Sequence, residues 1–271
     1  MKQIGVYYIC TGVYKNWFAG FLESLSNFLP EDEKNVFIIS DGLDEYLGYE
    51  SPENKVRVKK IDHIHYYPWP IVTLFKFKYI LDNKDLGMDY CFYFNANSYV
   101  LQKDSHFWSK WFGIMESNDL YVSYHAVNAN KKSLNDFIKG TVIRNKKSTS
   151  YIKNQAYYRL QAAFFGGKTS SFYTMCEEHL RLLTEDLKNN IIAPAADESY
   201  FNKYIYENTT KLRIHRQMVI YAEEIGFQKW VEDEVFVRLR SNDAYKDKKS
   251  EKDQRPFYIR IAAKIYHTIK H

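Results

Sequence analysis

Apolar runs alternate with amphipathic stretches along the first sixty positions of the chain. Residues 4–9 and 35–40 are predominantly apolar, which is typical of strands buried on both faces of a sheet. Residues 55–61 alternate polar and apolar side chains, which predicts a third, half-buried strand. Between the first two strands, residues 15–29 carry an apolar stripe at helical spacing. The stripe consists of Trp17, Phe21, Leu25 and Phe28.

The order strand, helix, strand predicts an α/β fold with a single Rossmann-like central sheet flanked by helices. The loop after the first strand is where a nucleotide would lie. It reads Cys10-Thr11-Gly12, which is not GxGxxG, and the chain contains no GxxxxGK[ST] motif. Dinucleotide and P-loop chemistry are therefore disfavoured. Further helices are predicted at residues 73–81, 106–115 and 169–188, and a strand at 119–124.

Residues 88–100 hold an aromatic run that ends in two short amides. The run predicts a strand buried on both faces, and it delivers Asn95 and Asn97 where that strand would end. In open α/β sheets, ligands bind at the carboxyl ends of strands. Asparagine also favours turns for reasons of its own backbone. Taken alone, the pair is therefore compatible with either a turn or the edge of a binding site.

Composition and charge narrow the function class. The 271 residues are 45% hydrophobic and 17% aromatic, enough to bury a sizeable core. The net charge of +5 arises largely after residue 238, in a basic tail at 241–271. A local basic tail suits anionic lipid or a phosphate ligand better than a nucleic-acid duplex, so no nucleic-acid partner is expected.

The tail ends in a predicted amphipathic helix at residues 256–271, with an apolar face beside a basic one. It can lie on a membrane surface or pack on its own domain, and both interpretations stay open. No signal peptide and no apolar run of ~20 residues is evident. Three cysteines without CxxC spacing indicate reduced core residues. We therefore expect a cytoplasmic protein, with peripheral contact at the inner membrane face as one option.

His63 and His65 share one face of a predicted strand, which invites a metal interpretation. No nearby histidine, cysteine or pair of carboxylates completes a site, so no metal is expected there.

Six short motifs occur in the order found in one enzyme family. They are Tyr8-Ile9-Cys10-Thr11-Gly12, Trp69-Pro70 with Thr73-Leu74, Phe94-Asn95-Ala96-Asn97, residues 144–152, Gln161 to Gly167, and Asp197 to Tyr204. Through them, residues 4–240 resemble the family six retaining glycosyltransferases, which include the blood-group A and B transferases, the α-1,3-galactosyltransferases and the Forssman synthase. The third motif is similar to the bacterial variant of DxD.

This resemblance implies a GT-A fold for residues 1–240, followed by the basic tail at 241–271. It also implies transfer of galactose or N-acetylgalactosamine from a UDP-sugar to the 3-hydroxyl of an acceptor sugar, with retention. The acceptor expected is an oligosaccharide or lipid-linked glycan of the bacterial surface. Two alanines in the specificity triplet at 161–163 lean towards galactose.

The resemblance also assigns roles to individual positions. Glu198 is the implied catalytic carboxylate, and Asp197 is its neighbour on the donor sugar. Donor contacts are implied for Ile9, Cys10, Thr11 and Tyr14 around uridine and for Asn95, Ala96 and Asn97 at the diphosphate. Donor or acceptor preference is implied for His125, Gln161, Ala162 and Ala163.

Replacement of the DxD carboxylates by amides changes the expected chemistry. Neutral amides are poor ligands for a hard cation but good donors to phosphate oxygen. We therefore expect no metal and no cofactor, with basic side chains replacing the ion. Lys76 and Arg240 are the first candidates, and Lys246 or Lys248 the next. Glu198 can stabilise an oxocarbenium ion or attack the anomeric carbon, and both stay open.

The chain also departs from the family pattern. Ala195-Ala196 stands where the family has Trp-His, and the arginine pair of the fourth motif is reduced to Arg144. These changes affect the acceptor side. Two alternatives follow: a catalytically decayed sugar- or nucleotide-binding relative, or a retaining transferase that uses another UDP-sugar.

Overall fold

The computed structural model describes residues 1–66, 71–125, 145–153, 159–193, 196–223 and 233–241. Eleven strands are defined within these ranges. They are β1 (Gln3–Cys10), β2 (Glu33–Ser40), β3 (Glu50–Ser51), β4 (Val56–His63), β5 (Tyr90–Asn95), β6 (Ser98–Val100), β7 (Leu120–Tyr124), β8 (Leu160–Lys168), β9 (Ile214–Gln217), β10 (Ile220–Ala222) and β11 (Val237–Leu239).

Six α-helices are defined within the same ranges. They are α1 (Phe18–Ser24), α2 (Ile71–Leu74), α3 (Lys76–Asp82), α4 (Ser105–Ser117), α5 (Thr169–Lys188) and α6 (Asp197–Glu207).

A large mixed sheet with strand order β3-β4-β2-β1-β5-β8-β7-β9 forms the centre of the fold. Strands β4, β2, β1 and β5 are parallel neighbours, which confirms the predicted α/β class. Ile9 of β1 pairs with Ile39 of β2 on one side and with Asn95 of β5 on the other. The carboxyl ends of β1 and β5 therefore meet at one edge of the sheet.

A second sheet of three short strands, in the order β10-β11-β6, stands beside the first. The sequence predicted one sheet only. The chain turns at Ala96 and Asn97 after β5, and β6 leaves the central sheet to pair antiparallel with β11. Strands of three residues are too short to show a periodic pattern in the sequence.

The two faces of the central sheet carry separate aromatic cores. One face packs against α1 and α4, with Phe21 and Trp111 among its buried side chains. The other packs against α3 and α5, with Phe77 and Phe172 buried between them. The paired glycines of β8 permit close packing, because a Cβ on Gly166 would lie 2.0 Å from the Phe92 ring.

Two predicted helices are interrupted. The stretch at 15–29 begins as a 3₁₀ segment, Gly12–Trp17, and ends as another, Leu25–Asn27, with α1 between them. The helix expected at 73–81 divides at Phe75, whose φ of −94° and ψ of 5° separate α2 from α3. The helix predicted at 169–188 is confirmed as α5.

The three cysteines are buried and unpaired, as expected. No helix in the described ranges has the length and apolar character needed to cross a bilayer. Several sequence predictions fall outside these ranges. They concern Trp69, Pro70, Arg144, Ala195, Lys246, Lys248 and the helix at 256–271.

Candidate active site

A pocket opens where the carboxyl ends of β1 and β5 meet. Seven of its lining residues were candidate donor contacts from the sequence: Ile9, Thr11, Tyr14, Lys76, Asn95, Ala96 and Asn97. Tyr66, Val72, Thr73 and Tyr93 complete the lining. Cys10 does not line it, because successive side chains of a strand point to opposite faces. Its thiol packs in the core 4.0 Å from the Ser40 hydroxyl.

The turn after β5 is held by a chain of hydrogen bonds. The Tyr93 hydroxyl donates to Asn95 Oδ1 at 3.1 Å, and Asn95 Nδ2 donates to Asn97 Oδ1 at 2.8 Å. The buried Tyr8 hydroxyl donates to the Ala96 carbonyl at 2.5 Å. Both amide oxygens are therefore already acceptors. Each amide uses one of its two N–H groups in the contacts defined for the described residues.

Asn97 is also joined to the far end of the described chain. Its Nδ2 donates to the Arg240 carbonyl at 2.8 Å, and the Arg240 N–H donates to the Asn97 carbonyl at 2.9 Å. The Arg240 guanidinium lies over the Tyr99 ring, 5.3 Å from its centroid. Arg240 therefore lies next to Asn97 through its backbone and not through its guanidinium. The pairing of β11 with β6 brings the two residues together.

The residues at this turn do not fit a hard divalent cation. Such ions prefer carboxylate oxygens, whereas the turn supplies neutral amides whose oxygens accept other hydrogen bonds. Within the described ranges, no group of three histidine, cysteine or acidic side chains could hold an ion. His63 Nε2 instead lies 2.9 Å from Asp44 Oδ1.

Lys76 connects this pocket to the start of α6. Its buried ammonium lies 2.6 Å from Asp197 Oδ2 and donates to the Ala162 carbonyl at 2.5 Å. It also lies 4.6 Å from the centroid of the Tyr93 ring. Burial raises the pKa of Asp197, the Lys76 charge opposes that rise, and the neighbouring Glu198 adds to it. Lys76 is the one charged side chain among the described residues that line the pocket.

Glu198 follows Asp197 in the first turn of α6. Its Oε2 accepts hydrogen bonds from Arg159, at 2.8 Å from Nε and also from Nη2. Its Oε1 accepts a longer bond of 3.4 Å from the Ala162 N–H and lies 4.0 Å from His125 Nε2. Burial lowers the pKa of His125 to about 4; the Glu198 charge opposes this and Arg159 reinforces it. The imidazole is therefore neutral near pH 7.

The specificity triplet at 161–163 divides between the two sheet faces. Ala162 belongs to the same core as Tyr93, whereas Ala163 belongs to the opposite one. The register with β7 shifts here: Val122 pairs with Phe165, and the next residue of β7 pairs with Gln161. Such an irregularity bends the strand and changes the direction of its side chains beside the site. Gln161 Oε1 is buried without a hydrogen-bond partner among the described residues.

Residues 51–228 match the sequence model of Glycosyltransferase family 6. The chain belongs to this family. It is also similar to the O-antigen biosynthesis glycosyltransferase WbnI of Escherichia coli. The two are 33% identical over 232 residues, which cover 83% of this chain and 91% of the relative. The family assignment and the GT-A type fold predicted from the motifs are thus confirmed. A glycosyltransferase uses a nucleotide-sugar donor and a glycan acceptor.

His179 lies in the core beside the start of α6. The ring is buried, stacks on Phe77 at 3.7 Å between centroids, and places Nε2 3.0 Å from the Asp197 carbonyl. Burial lowers its pKa to about 3. His179 therefore supports the backbone at the start of α6 in its neutral form.

Two residues of this candidate site were not predicted from the sequence. Arg159 stands two positions before the specificity triplet. Tyr66, at the pocket rim, lies three positions before the WP motif. Neither belongs to a periodic pattern or a recognised spacing. A cation placed directly before a motif strand was the one signal that could have drawn attention to Arg159.

Proposed function

We propose that this family 6 enzyme transfers galactose or N-acetylgalactosamine from a UDP-sugar to the 3-hydroxyl of an acceptor sugar. The product is an α-1,3 linkage formed with retention, and no divalent cation takes part. One chain of contacts carries this proposal. Lys76 lines the pocket and binds both Asp197 and the Ala162 carbonyl, and the Ala162 N–H reaches Glu198. The carboxylates of Asp197 and Glu198 are thereby linked, through Lys76 and Ala162, to the pocket at the carboxyl ends of β1 and β5.

The uridine would occupy the part of the pocket formed by Ile9, Thr11 and Tyr14. Its diphosphate would then meet the turn at Asn95 and Asn97, which lines the same pocket. The remaining amide N–H groups of that turn are suitable donors to phosphate oxygens.

Positive charge for the leaving diphosphate would come from the protein. Lys76 supplies part of it, although its charge is shared with Asp197. Arg240 and the basic side chains after it are the further sources proposed, Lys246 and Lys248 among them. The backbone contact between Arg240 and Asn97 fixes the start of the basic tail at the turn proposed to meet the diphosphate. Lys246 is six residues further along the chain, so it can lie at most ~20 Å from Arg240.

Glu198 would act at the anomeric carbon. As the UDP leaves, positive charge develops on the ring, and a fixed carboxylate stabilises it or forms a covalent glycosyl-enzyme. Asp197 would contact the donor sugar, and its pairing with Lys76 fixes its orientation.

Specificity is proposed to lie around Ala162, Ala163, Gln161 and His125. Ala162 and Ala163 resemble the galactose-using members of the family, which favours galactose as the proposed donor sugar. His125, half-buried beside Glu198, would contact the acceptor. The similarity to a transferase of O-antigen biosynthesis supports a bacterial surface glycan as acceptor.

The proposed location is cytoplasmic, with peripheral membrane contact through residues 256–271. Deleting that segment should abolish binding to anionic vesicles while leaving UDP release intact. Unchanged vesicle binding would contradict the membrane contact.

A donor panel tests the proposed reaction. UDP release is measured with UDP-galactose, UDP-N-acetylgalactosamine and UDP-glucose, each in EDTA and in manganese, and UDP affinity is measured by calorimetry. Release in EDTA with one galactose-type donor supports the proposal. Release that requires manganese contradicts metal independence, and release with UDP-glucose alone contradicts the donor class. UDP binding without release from any donor would identify a decayed binding protein.

A further inference from the structure

We propose that Arg159 is a positioning residue for the transfer reaction. It fixes Oε2 of the Glu198 carboxylate and so leaves Oε1 as the oxygen that faces the anomeric carbon. This inference rests on the proposed function, because it takes Glu198 as the group that meets the donor sugar.

The two oxygens of Glu198 have different surroundings. Oε2 accepts from both Nε and Nη2 of Arg159. Oε1 accepts a single bond of 3.4 Å, from the Ala162 N–H. An oxygen that accepts two charge-assisted bonds has less electron density to offer than one that accepts a single long bond. Oε1 is therefore the better nucleophile and the better partner for a developing cation.

Oε1 is also the oxygen connected to the donor pocket. The Ala162 N–H that reaches it belongs to the same residue whose carbonyl accepts from Lys76. Because Lys76 lines the pocket, Ala162 connects Oε1 to the pocket wall. Arg159 contacts the carboxylate through Oε2, so Oε1 is the oxygen that accepts no bond from a permanently charged group in the described ranges.

The backbone holds both partners of this ion pair in place. Asn202 Oδ1 accepts from the Leu160 N–H at 2.8 Å, and Asn202 Nδ2 donates to the Leu160 carbonyl and to the Glu198 carbonyl, at 2.9 and 2.7 Å. The His125 N–H donates to the Arg159 carbonyl at 2.8 Å. The arginine and the glutamate are therefore fixed by their own backbones before a donor binds.

Charge at the site makes Arg159 hard to replace. Asp197 already has Lys76 as its partner, and His125 is neutral near pH 7. Arg159 is the one permanently charged group that contacts Glu198 in the described ranges. Lysine would keep the charge but lose the two-nitrogen geometry, which only the planar guanidinium provides.

The test compares Arg159→Met, Arg159→Lys and Arg159→Ala with the wild type. The control is Arg181→Met, because Arg181 also binds a glutamate, Glu178, through Nε and Nη2 at 2.7 Å each, but on the exposed surface of α5. UDP release from UDP-galactose in EDTA gives kcat and KM, and calorimetry gives the UDP affinity.

Arg159→Met should lower kcat about 100-fold, because a misplaced catalytic group costs about that much in rate. UDP affinity should stay within about twofold, since Arg159 does not line the nucleotide pocket. The kcat of Arg159→Lys should fall between those of the wild type and Arg159→Met. Millimolar guanidinium should restore part of the activity of Arg159→Ala but not that of Glu198→Gln.

The pH profile supplies a readout that a merely structural role would not change. Arg159 disfavours and Glu198 favours the protonated form of His125. Burial is the main cause that lowers the pKa of His125, so removing the arginine should raise that pKa only in part, to a value still below the ordinary ~6.5. The protonated imidazole should therefore partly replace the guanidinium, and Arg159→Met should recover activity, only at acid pH, as the pH falls from about 6.5 towards about 4. The double variant Arg159→Met/His125→Gln should not.

The inference would be overturned if Arg159→Met kept the wild-type kcat. It would also be overturned if kcat fell as much in Arg181→Met as in Arg159→Met. Either result would leave the proposed function intact. Absence of guanidinium rescue combined with an unchanged pH profile would also overturn it. If the wild type releases no UDP from any donor, the proposed function fails, and the inference fails with it.

Discussion

Lys76 Nζ lies 2.6 Å from Asp197 Oδ2, so the cation that lines the pocket at the carboxyl ends of β1 and β5 also neutralises the carboxylate next to Glu198. The sequence suggested Lys76 as a replacement for a metal ion at the diphosphate. The contact with Asp197 adds a second role, which is to hold the acidic pair at the start of α6. Through Lys76 and Ala162, the pocket is connected to Glu198, the proposed catalytic carboxylate.

Breaking this ion pair should destabilise the fold. Lys76→Met leaves the buried Asp197 charge without its partner, and we expect a loss of about 3 kcal/mol in the free energy of unfolding. The double variant Lys76→Met/Asp197→Asn should lose less, because no unpaired charge remains. Lys78→Met, which removes a surface partner of Asp82, should cost under about 1 kcal/mol. Urea denaturation measures all three, and equal losses in the two single lysine variants would contradict this account.

His125 should make stability fall at acid pH. Burial lowers its folded-state pKa to about 4, whereas the unfolded chain has the ordinary value of about 6.5. Below pH 6.5 the unfolded state binds a proton that the folded state does not. Stability is therefore lost as the pH falls from about 6.5 to about 4, by up to about 3 kcal/mol.

The variant that tests this is His125→Gln, because glutamine binds no proton in either the folded or the unfolded state. The slope of the unfolding free energy against pH should decrease in that window by up to one proton, about 1.4 kcal/mol per pH unit. His179 should still contribute in the variant, because its pKa is also lowered. An unchanged slope, measured by denaturation at several pH values, would show that His125 is charged in the folded state.

Gly12 and Gly48 form a matched pair for testing the pocket rim. Both have positive φ, +57° and +80°, so alanine at either position should cost roughly 1–2 kcal/mol in stability. A Cβ at Gly12 would lie 2.9 Å from the Tyr66 ring, whereas one at Gly48 would meet nothing within 4 Å. Because Tyr66 lines the pocket, only Gly12→Ala should weaken UDP affinity, by several-fold on a calorimetric scale. Equal UDP affinities in the two variants would remove Tyr66 from the nucleotide site.

Asn97→Asp should damage the site even though it restores half of a DxD motif. The new carboxylate would face the Arg240 carbonyl, which now accepts from Asn97 Nδ2 at 2.8 Å. The loss of this donor at a buried position should cost about 2 kcal/mol in stability. The added charge should also weaken UDP affinity in EDTA, because it repels the diphosphate. Wild-type affinity for UDP in EDTA would contradict the proposed phosphate role of this turn.

Local patterns predicted much of the fold and of the pocket. The apolar runs of β1 and β2 and the periodic helix α5 have strong signals, because burial imposes a regular spacing on them. Asn95 and Asn97 could be placed at a sheet edge, since a buried strand ends directly before them.

Contacts between distant parts of the chain were not predictable in the same way. Arg159 and Glu198 are separated by 39 positions, and nothing local to either residue indicates the other. The β6–β11 pairing joins two three-residue strands, which carry no period of their own. It places the Arg240 backbone, not the guanidinium, against Asn97. These features depend on how the elements pack, which the sequence pattern does not specify.

Glu198 is proposed to promote transfer from a UDP-sugar without a metal ion. The most direct measurement is UDP release from UDP-galactose and UDP-N-acetylgalactosamine in EDTA, for the wild type and for Glu198→Gln, with UDP affinity measured on both proteins. We expect wild-type turnover to persist in EDTA and to fall at least about 100-fold in Glu198→Gln, with UDP affinity unchanged. Turnover that needs manganese would contradict metal independence, and turnover that survives in Glu198→Gln would contradict the catalytic role of Glu198.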